Sequence, residues 1–382
     1  MSKTVLMGGS GSTGSSLIRR MLDRHPQTFS GGELNFFNKE QIFNDWPSAG
    51  PKVINCLVKR RQWLRKRFTT SGWFPYPGHN LLSEEYGWNK EELVRLLENS
   101  PTLEDFVSNF FSKPLGLHKA SHWVEKTPSN SYSFRAFLSH FPEGKVVHTT
   151  RNPYDAVASL VRRGFTPTFA AGIWVYNTGA ALGARTSSRY LAVRYEDLVD
   201  SPEEEVSTLL EFLGVDVDPA VFRPDESSQP QVEGWQNSAA SAVSSKSVGG
   251  FKRMPTEAQE EIRTALSVFE IRPDVAGRKG IQSRTCRELC NEPCYEFSDF
   301  PNSKYLTKIR NDMRKDLLRR TIRRFETELL AYPARIQRQG RCPSNSSSPR
   351  FLRCSTSRSA NWPLRASQPL PRPCTLYVSL RF

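Results

Sequence analysis

The sequence predicts an α/β protein: a mainly parallel central sheet of about five strands with helices on both faces. Three observations predict it. Short apolar, β-branched runs recur near 3–7, 28–31, 122–125, 145–150 and 190–195. Helical patterns separate those runs, which is the alternation of a parallel sheet. The first run also leads straight into a glycine-rich turn and a helix.

Val5, Leu6 and Met7 make the first buried strand, and Leu17, Ile18, Met21 and Leu22 recur at helical spacing after it. Between them, Gly11, Ser12, Thr13, Gly14, Ser15 and Ser16 aim backbone N–H groups, hydroxyls and a helix N-terminus at one spot. Such a spot suits a phosphate. Gly9, Gly11 and Gly14 fit the dinucleotide pattern G-x-G-x-x-G. Gly9 through Ser16 also fits the nucleotide P-loop, except that Ser15 stands where the lysine belongs. Without that lysine an ATPase or kinase is disfavoured. A 5′-phosphosulfate is the third ligand that fits, and the turn alone does not choose.

The first helix ends at His25-Pro26, and a second strand delivers Glu33 at the start of Glu33-Leu-Asn-Phe-Phe-Asn38. Ligands of open α/β sheets bind at this strand edge. A dinucleotide enzyme would use Glu33 on the ribose; a transferase would use it as general base. Residues 43–115 form an insertion with mixed tryptophans, prolines and a basic run at 59–67, read as a lid or a helical cap. Helices are expected there at 90–99 and 103–111. His122-Trp-Val-Glu-Lys126 is the third strand, with Lys126 at its C-terminal end and a helix expected over 130–140.

Lys145-Val-Val-His-Thr-Thr-Arg-Asn-Pro-Tyr-Asp155 is the fourth strand and the start of a helix. Asn152 is a good N-cap, Pro153 suits the first helical position and Asp155 suits the first turn. Arg151 is thereby fixed at the junction, with Ser159 two turns along the helix, and both can reach one anion. Further helices are expected at 169–184, 202–213 and 256–269, and a mobile loop at 227–247. A basic amphipathic helix is expected over 304–330, docked by Leu306, Ile309, Leu317, Leu318, Ile322 and Phe325. Residues 331–382, with nine arginines and no acid, are expected to be disordered.

The formal charge of +14 belongs to that end of the chain: residues 1–303 hold 35 basic and 35 acidic residues. A neutral body argues against a specific nucleic-acid partner. No apolar leader precedes the first strand and no run is long enough to span a bilayer, so a cytoplasmic address is expected. Seven scattered cysteines, with no histidine beside Cys286, Cys290 and Cys294, predict neither zinc nor a disulfide framework.

Strand–Arg151-Asn-Pro-x-Asp-x-x-x-Ser159 resembles the 3′-phosphate motif of sulfotransferases that use 3′-phosphoadenosine 5′-phosphosulfate (PAPS). The first loop is similar to their 5′-phosphosulfate loop, and Glu33-Leu-Asn-Phe-Phe-Asn38 resembles the acidic segment of heparan-type and tyrosylprotein members. Glu125-Lys-Thr-Pro128 looks like the lysine segment of the carbohydrate branch. Arg194-Tyr-Glu-Asp-Leu198 resembles the last core strand and helix. Ser247-Val-Gly-Gly-Phe-Lys-Arg-Met-Pro255 is similar to the loop that closes over the cofactor.

The resemblance covers residues 3–270. It implies the P-loop-like sulfotransferase fold in a domain over 1–303, with 227–255 closing on PAPS. It also implies Glu33 and Lys126 as catalytic residues and no metal. The cofactor would be held by Gly11, Ser12, Thr13, Gly14, Ser15, Ser16, Arg151, Ser159, Tyr195, Gly249, Gly250, Phe251, Lys252 and Arg253, with Tyr195 and Phe251 against adenine. The implied acceptor is a carbohydrate or a small alcohol or amine, with His122 or His118 next in line as base. One departure stands out: the family carries Lys or Arg where this chain has Ser12. Lys126 or Lys252 would have to supply that charge, or the protein binds the nucleotide without turning it over. An NAD(P)-dependent oxidoreductase or epimerase is the other reading, and it gives Arg151 and Ser159 no role.

Overall fold

The computed structural model describes residues 3–58, 81–223, 245–291, 293–298, 302–318 and 329–330. All of them fall in the unit Met1–Gly340. The basic run at 59–67, residues 227–244 of the loop expected over 227–247, and the tail over 331–382 lie outside them.

Five strands, β1 (Lys3–Gly9), β2 (Thr28–Phe29), β3 (His122–Lys126), β4 (Lys145–Thr150) and β5 (Tyr190–Arg194), form one parallel sheet ordered β2-β3-β1-β4-β5. The order excludes the dinucleotide reading, because that fold places its second strand directly beside the first. Here β3 lies between them, with Val5 opposite Val124 and Met7 opposite Lys126.

The period of two decides the two faces. Val5, Met7, Val124, Val147 and Val193 pack with α1 (Ser15–Asp23), through Ile18, Met21 and Leu22. The intervening Leu6, Trp123 and Val146 face the opposite layer. α2 (Gln41–Asn44), α3 (Trp46–Val58), α4 (Leu81–Glu84), α5 (Lys90–Glu98), α6 (Leu103–His118) and α7 (Phe134–His140) belong to that side of the chain. Phe111 stacks on Trp123 at 3.7 Å, and the α5 residues Leu93 and Leu97 are buried in the same cluster. The later half of the 43–115 insertion is therefore a core layer over β3.

α6 runs seven residues beyond the expected Phe111, through Pro114. Proline cannot donate to the carbonyl four residues back. The indole N–H of Trp88 donates to that Phe110 carbonyl instead, at 3.0 Å. The helix expected over 130–140 begins as a 3₁₀ turn, Pro128–Ser133, before α7. Asn130 and Ser131 turn their side chains to Met7, Glu125 and Asn177, which competes with regular helix.

α8 (Pro153–Arg162) starts as its sequence predicts: Asn152 Oδ1 accepts from the Tyr154 N–H at 3.0 Å, with Pro153 next. α9 (Pro167–Leu182) is buried nearly all round, as an apolar helix without a polar face must be. α10 (Tyr195–Asp200) follows β5 without a break, and α11 (Pro202–Leu213) joins α1 through Leu209, Leu210 and Leu213. α12 (Thr256–Val268), β6 (Glu270–Ile271), α13 (Pro273–Lys279) and α14 (Cys286–Asn291) build the flank beside α9, where Cys286 and Cys290 are buried.

Of the basic helix expected over 304–330, residues 319–328 lie outside the described residues, and 329–330 are strand instead. α15 is Ser303–Leu318, docked by Tyr305 and Ile309, and Leu329–Leu330 forms a strand, β7, antiparallel to β6. Among the described residues no helix is long and apolar enough to cross a membrane.

Candidate functional site

The C-terminal edge of β1 opens the site. Gly9 lies so close to β4 that a Cβ there would sit 2.1 Å from the Thr149 carbonyl oxygen. Thr13 Oγ1 donates to the Ser10 carbonyl at 2.7 Å and shares a 2.8 Å hydrogen bond with Thr149 Oγ1, locking the turn onto β4. Ser12 has φ +66° and Gly14 φ +86°, two left-handed steps that bring the chain sharply into α1. No side chain caps α1. Its first-turn N–H groups face the strand edge, where the helix dipole favours an anion.

Arg151, at the end of β4, joins the glycine turn after β1 to the turn at 247–253. Its guanidinium donates to the Ser12 carbonyl at 3.2 Å and to the Ser247 carbonyl at 2.6 Å, while lying 4.4 Å over the Tyr195 ring. Burial pulls it below its usual value and Asp155, 3.8 Å away, opposes that; it stays charged. Tyr195 meets Ser247 Oγ at 2.5 Å and covers Gly14, where a Cβ would lie 2.6 Å from its ring.

Asp155 holds the third piece. Its carboxylate accepts from the N–H of Gly249 at 2.7 Å and of Phe251 at 2.8 Å. The turn at 247–253 is thereby fastened to the first turn of α8. In sequence Asp155 reads only as a first-turn acid; its place four residues after Arg151, across the start of α8, is the signal that carries more. Arg253 donates to the Lys246 and Val248 carbonyls, so it shapes the turn from outside. Lys252 is exposed, and Gly250 accepts from Arg162 at 3.3 Å. Arg162, Lys246, Ser247, Gly250, Arg253, Met254 and Pro255 line a cleft of about 520 Å³. Phe251 stands apart from the other site residues: its ring is buried, stacked on Tyr154 at 4.9 Å. It is a core anchor, and its N–H is what it gives the site. Ser159 lies partly exposed on α8, two turns from Arg151.

Glu33 and Lys126 come together as an ion pair, with Glu33 24% exposed and Lys126 buried. Lys126 also reaches Ser16 Oγ at 3.3 Å, which ties the pair to the first turn of α1. Behind it sits Glu125, a carboxylate with no exposure that sequence reading passed over. It accepts from the Leu34 N–H at 2.9 Å, from Thr127 Oγ1 at 2.7 Å and from Asn130 Nδ2. Burial, only partly offset by these bonds, pushes its carboxyl up to about 7. Glu125 thus sets the path of the segment that carries Glu33. A charged residue inside a buried parallel strand was its signal.

The two histidines held in reserve as bases lie elsewhere. His122 opens β3, so four residues, roughly 13 Å of strand, separate it from Lys126. Burial and Lys3 hold it down to about 4. His118 packs its ring on Phe29 at 4.7 Å.

The residues present fit a nucleotide with two anionic ends. Arg151 Nε is a buried donor without a hydrogen-bond partner, at the junction of both loops. Arg151 bonds both Ser12, in the turn that leads into the uncapped α1, and Ser247, in the cleft that Arg162, Lys246 and Arg253 line.

Residues 5–219 match the model of the Sulfotransferase family. Among solved structures, the fold is similar to the sulfotransferase domain of the Synechococcus PCC 7002 olefin synthase. That match has a TM-score of 0.50 at 20% identity, covering 78% of this chain and 96% of that one. A sulfotransferase from Alicyclobacillus acidocaldarius superposes at TM-score 0.36 and 15% identity, over 78% of this chain and 98% of that one. An uncharacterized protein of Aquifex aeolicus (strain VF5) is 23% identical over 215 residues, 52% of this chain. The chain spans about a quarter of that relative's length, 24%.

Proposed function

Because this chain belongs to the sulfotransferase family, we propose that it moves a sulfuryl group from PAPS to a hydroxyl or amine, most simply on a carbohydrate. The observation that carries the reading is the contact of Arg151 with both Ser12 and Ser247. One guanidinium thereby connects the glycine turn after β1 with the turn at 247–253, as a ligand phosphorylated at both ends requires. PAPS supplies the sulfuryl group: its sulfur–oxygen bond to phosphate breaks as the bond from sulfur to the acceptor forms.

Each residue then has a task that matches its surroundings. The backbone of Gly11, Ser12, Thr13 and Gly14, with the Ser15 and Ser16 hydroxyls, holds the 5′ end at the dipole of α1. Arg151 and Ser159 hold the 3′-phosphate, with Lys252 and Arg253 adding charge from the turn that Gly249 and Gly250 shape. Tyr195, fixed by Ser247, offers its ring to adenine. Glu33, the exposed member of its pair, takes the acceptor proton. Lys126, close to Ser16, stabilises charge on the departing bridge oxygen. The chain's own cations neutralise both anionic ends.

Incubation with ³⁵S-labelled PAPS and a panel of glycans, phenols and peptides tests the reading. Label should pass to a glycan, and Glu33→Gln should lower that turnover by about 10²–10⁴-fold, the usual worth of a general base. Undiminished turnover in Glu33→Gln would remove it as base. Binding of adenosine 3′,5′-bisphosphate with no transfer to any acceptor would favour a binding protein.

A further inference from the structure

We infer that Arg163 is a further nucleotide-binding cation, which supplies at the first loop the positive charge that Ser12 does not carry. The inference rests on the proposed PAPS reading and concerns its 5′ end. Arg163 follows the last residue of α8, and its Nη1 lies 3.2 Å from Ser12 Oγ. Ser12 is therefore held at two points, by Arg151 on its carbonyl and by Arg163 on its hydroxyl. The two arginines flank α8, about 18 Å apart along the helix rise. Both reach one residue because the loop runs along the helix side. A Cβ on Gly11 would sit 3.1 Å from Leu160 Cδ2, so glycine there lets the loop lie that close.

Its neighbour Arg162 goes the other way, donating to the Gly250 carbonyl and lining the cleft with Lys246 and Arg253. Adjacent arginines at the end of one helix thus serve the two loops separately. A serine hydroxyl is a weaker partner for a guanidinium than a doubly charged oxyanion. Arg163 is exposed, so it can exchange one for the other without a desolvation penalty of buried size. Of the cations named from sequence for this job, Lys126 meets the far end of the segment at Ser16 Oγ while paired with Glu33, and Lys252 lies on the turn that Asp155 fastens; Arg163 is at Ser12 itself.

The test uses the full chain and nucleotides that carry one end each. Displacement of labelled adenosine 3′,5′-bisphosphate gives the affinities of adenosine 5′-monophosphate and adenosine 3′-monophosphate. Arg163→Ala should weaken the 5′-monophosphate and the bisphosphate by about tenfold, a charge-assisted bond at its lower range. The 3′-monophosphate should stay within about twofold, and Arg163→Lys should fall between wild type and Arg163→Ala. Unchanged 5′-monophosphate binding in Arg163→Ala overturns the inference, as does equal weakening of the 3′-monophosphate. Failure of the wild-type chain to bind the bisphosphate at all overturns the PAPS reading itself, before any variant is compared.

Discussion

Glu125 makes stability depend on pH in a way that one substitution isolates. Its carboxyl is held at about 7 instead of 4.5. The folded state thus binds a proton that the unfolded state has already released over that interval. Stability from this group is fully present below pH 4.5 and is lost as pH rises through 7. At 1.36 kcal/mol per pH unit of displacement, the loss is about 3 kcal/mol. Buried His122 and His148 work in the opposite sense. They are pulled from 6.5 to about 4 and about 3, so they stabilise above pH 6.5 and lose that contribution as pH falls. The wild-type curve alone mixes both effects, but the difference between Glu125→Gln and wild type cancels the histidines. Urea unfolding from pH 4.5 to 8 should show that difference moving in favour of Glu125→Gln by about 3 kcal/mol across the range. Its sign at pH 4.5 does not matter, because losing a hydrogen bond to Asn130 only offsets the curve. A difference that stays flat with pH would refute the reasoning.

Two other substitutions probe the frame of the site. Asp155→Asn keeps one acceptor for the Gly249 and Phe251 N–H groups and sets an amide N–H against the other, a cost of about 1–3 kcal/mol. The turn should loosen locally, and trypsin should cut faster at Lys246, Lys252 and Arg253; an unchanged cutting rate would refute the fastening role. Gly14→Ala places a methyl 2.6 Å from the Tyr195 ring at φ +86°. It should lower the melting temperature, whereas in a Tyr195→Ala background the same Gly14→Ala change should cost only the roughly 1–2 kcal/mol of the left-handed backbone. Wild-type stability in Gly14→Ala alone would contradict the packing described.

The strands were legible because a parallel sheet buried on both faces writes itself as short β-branched runs, and Val5 to Met7 or Val146 to Val147 leave little choice. Asn152 and Pro153 announced α8 through local chemistry alone. What depends on distant partners was not legible. Nothing near Pro114 says that Trp88 will take over the carbonyl it frees, so α6 seemed to end early. Glu33 and Lys126 were individually visible, since Lys126 ends β3 and Glu33 comes soon after β2. Glu125 and Asp155 were hidden because their work is to hold other segments, Leu34 in one case and 249–251 in the other. Arg163 was hidden for a related reason, being 151 residues away from the serine it touches.

The placement of β3 between β2 and β1 acts as a ruler. Neighbouring strands lie about 4.8 Å apart, so Glu33 after β2 is offset from the glycine turn after β1 by about two strand widths. Lys126, on the strand between, spans that offset by touching Glu33 and Ser16 at once. Loops at the sheet margin can lengthen or change without altering this gauge, because hydrogen-bonded backbone and not side-chain packing sets it. Segments around the sheet can therefore vary while the interval between Glu33 and the glycine turn stays fixed.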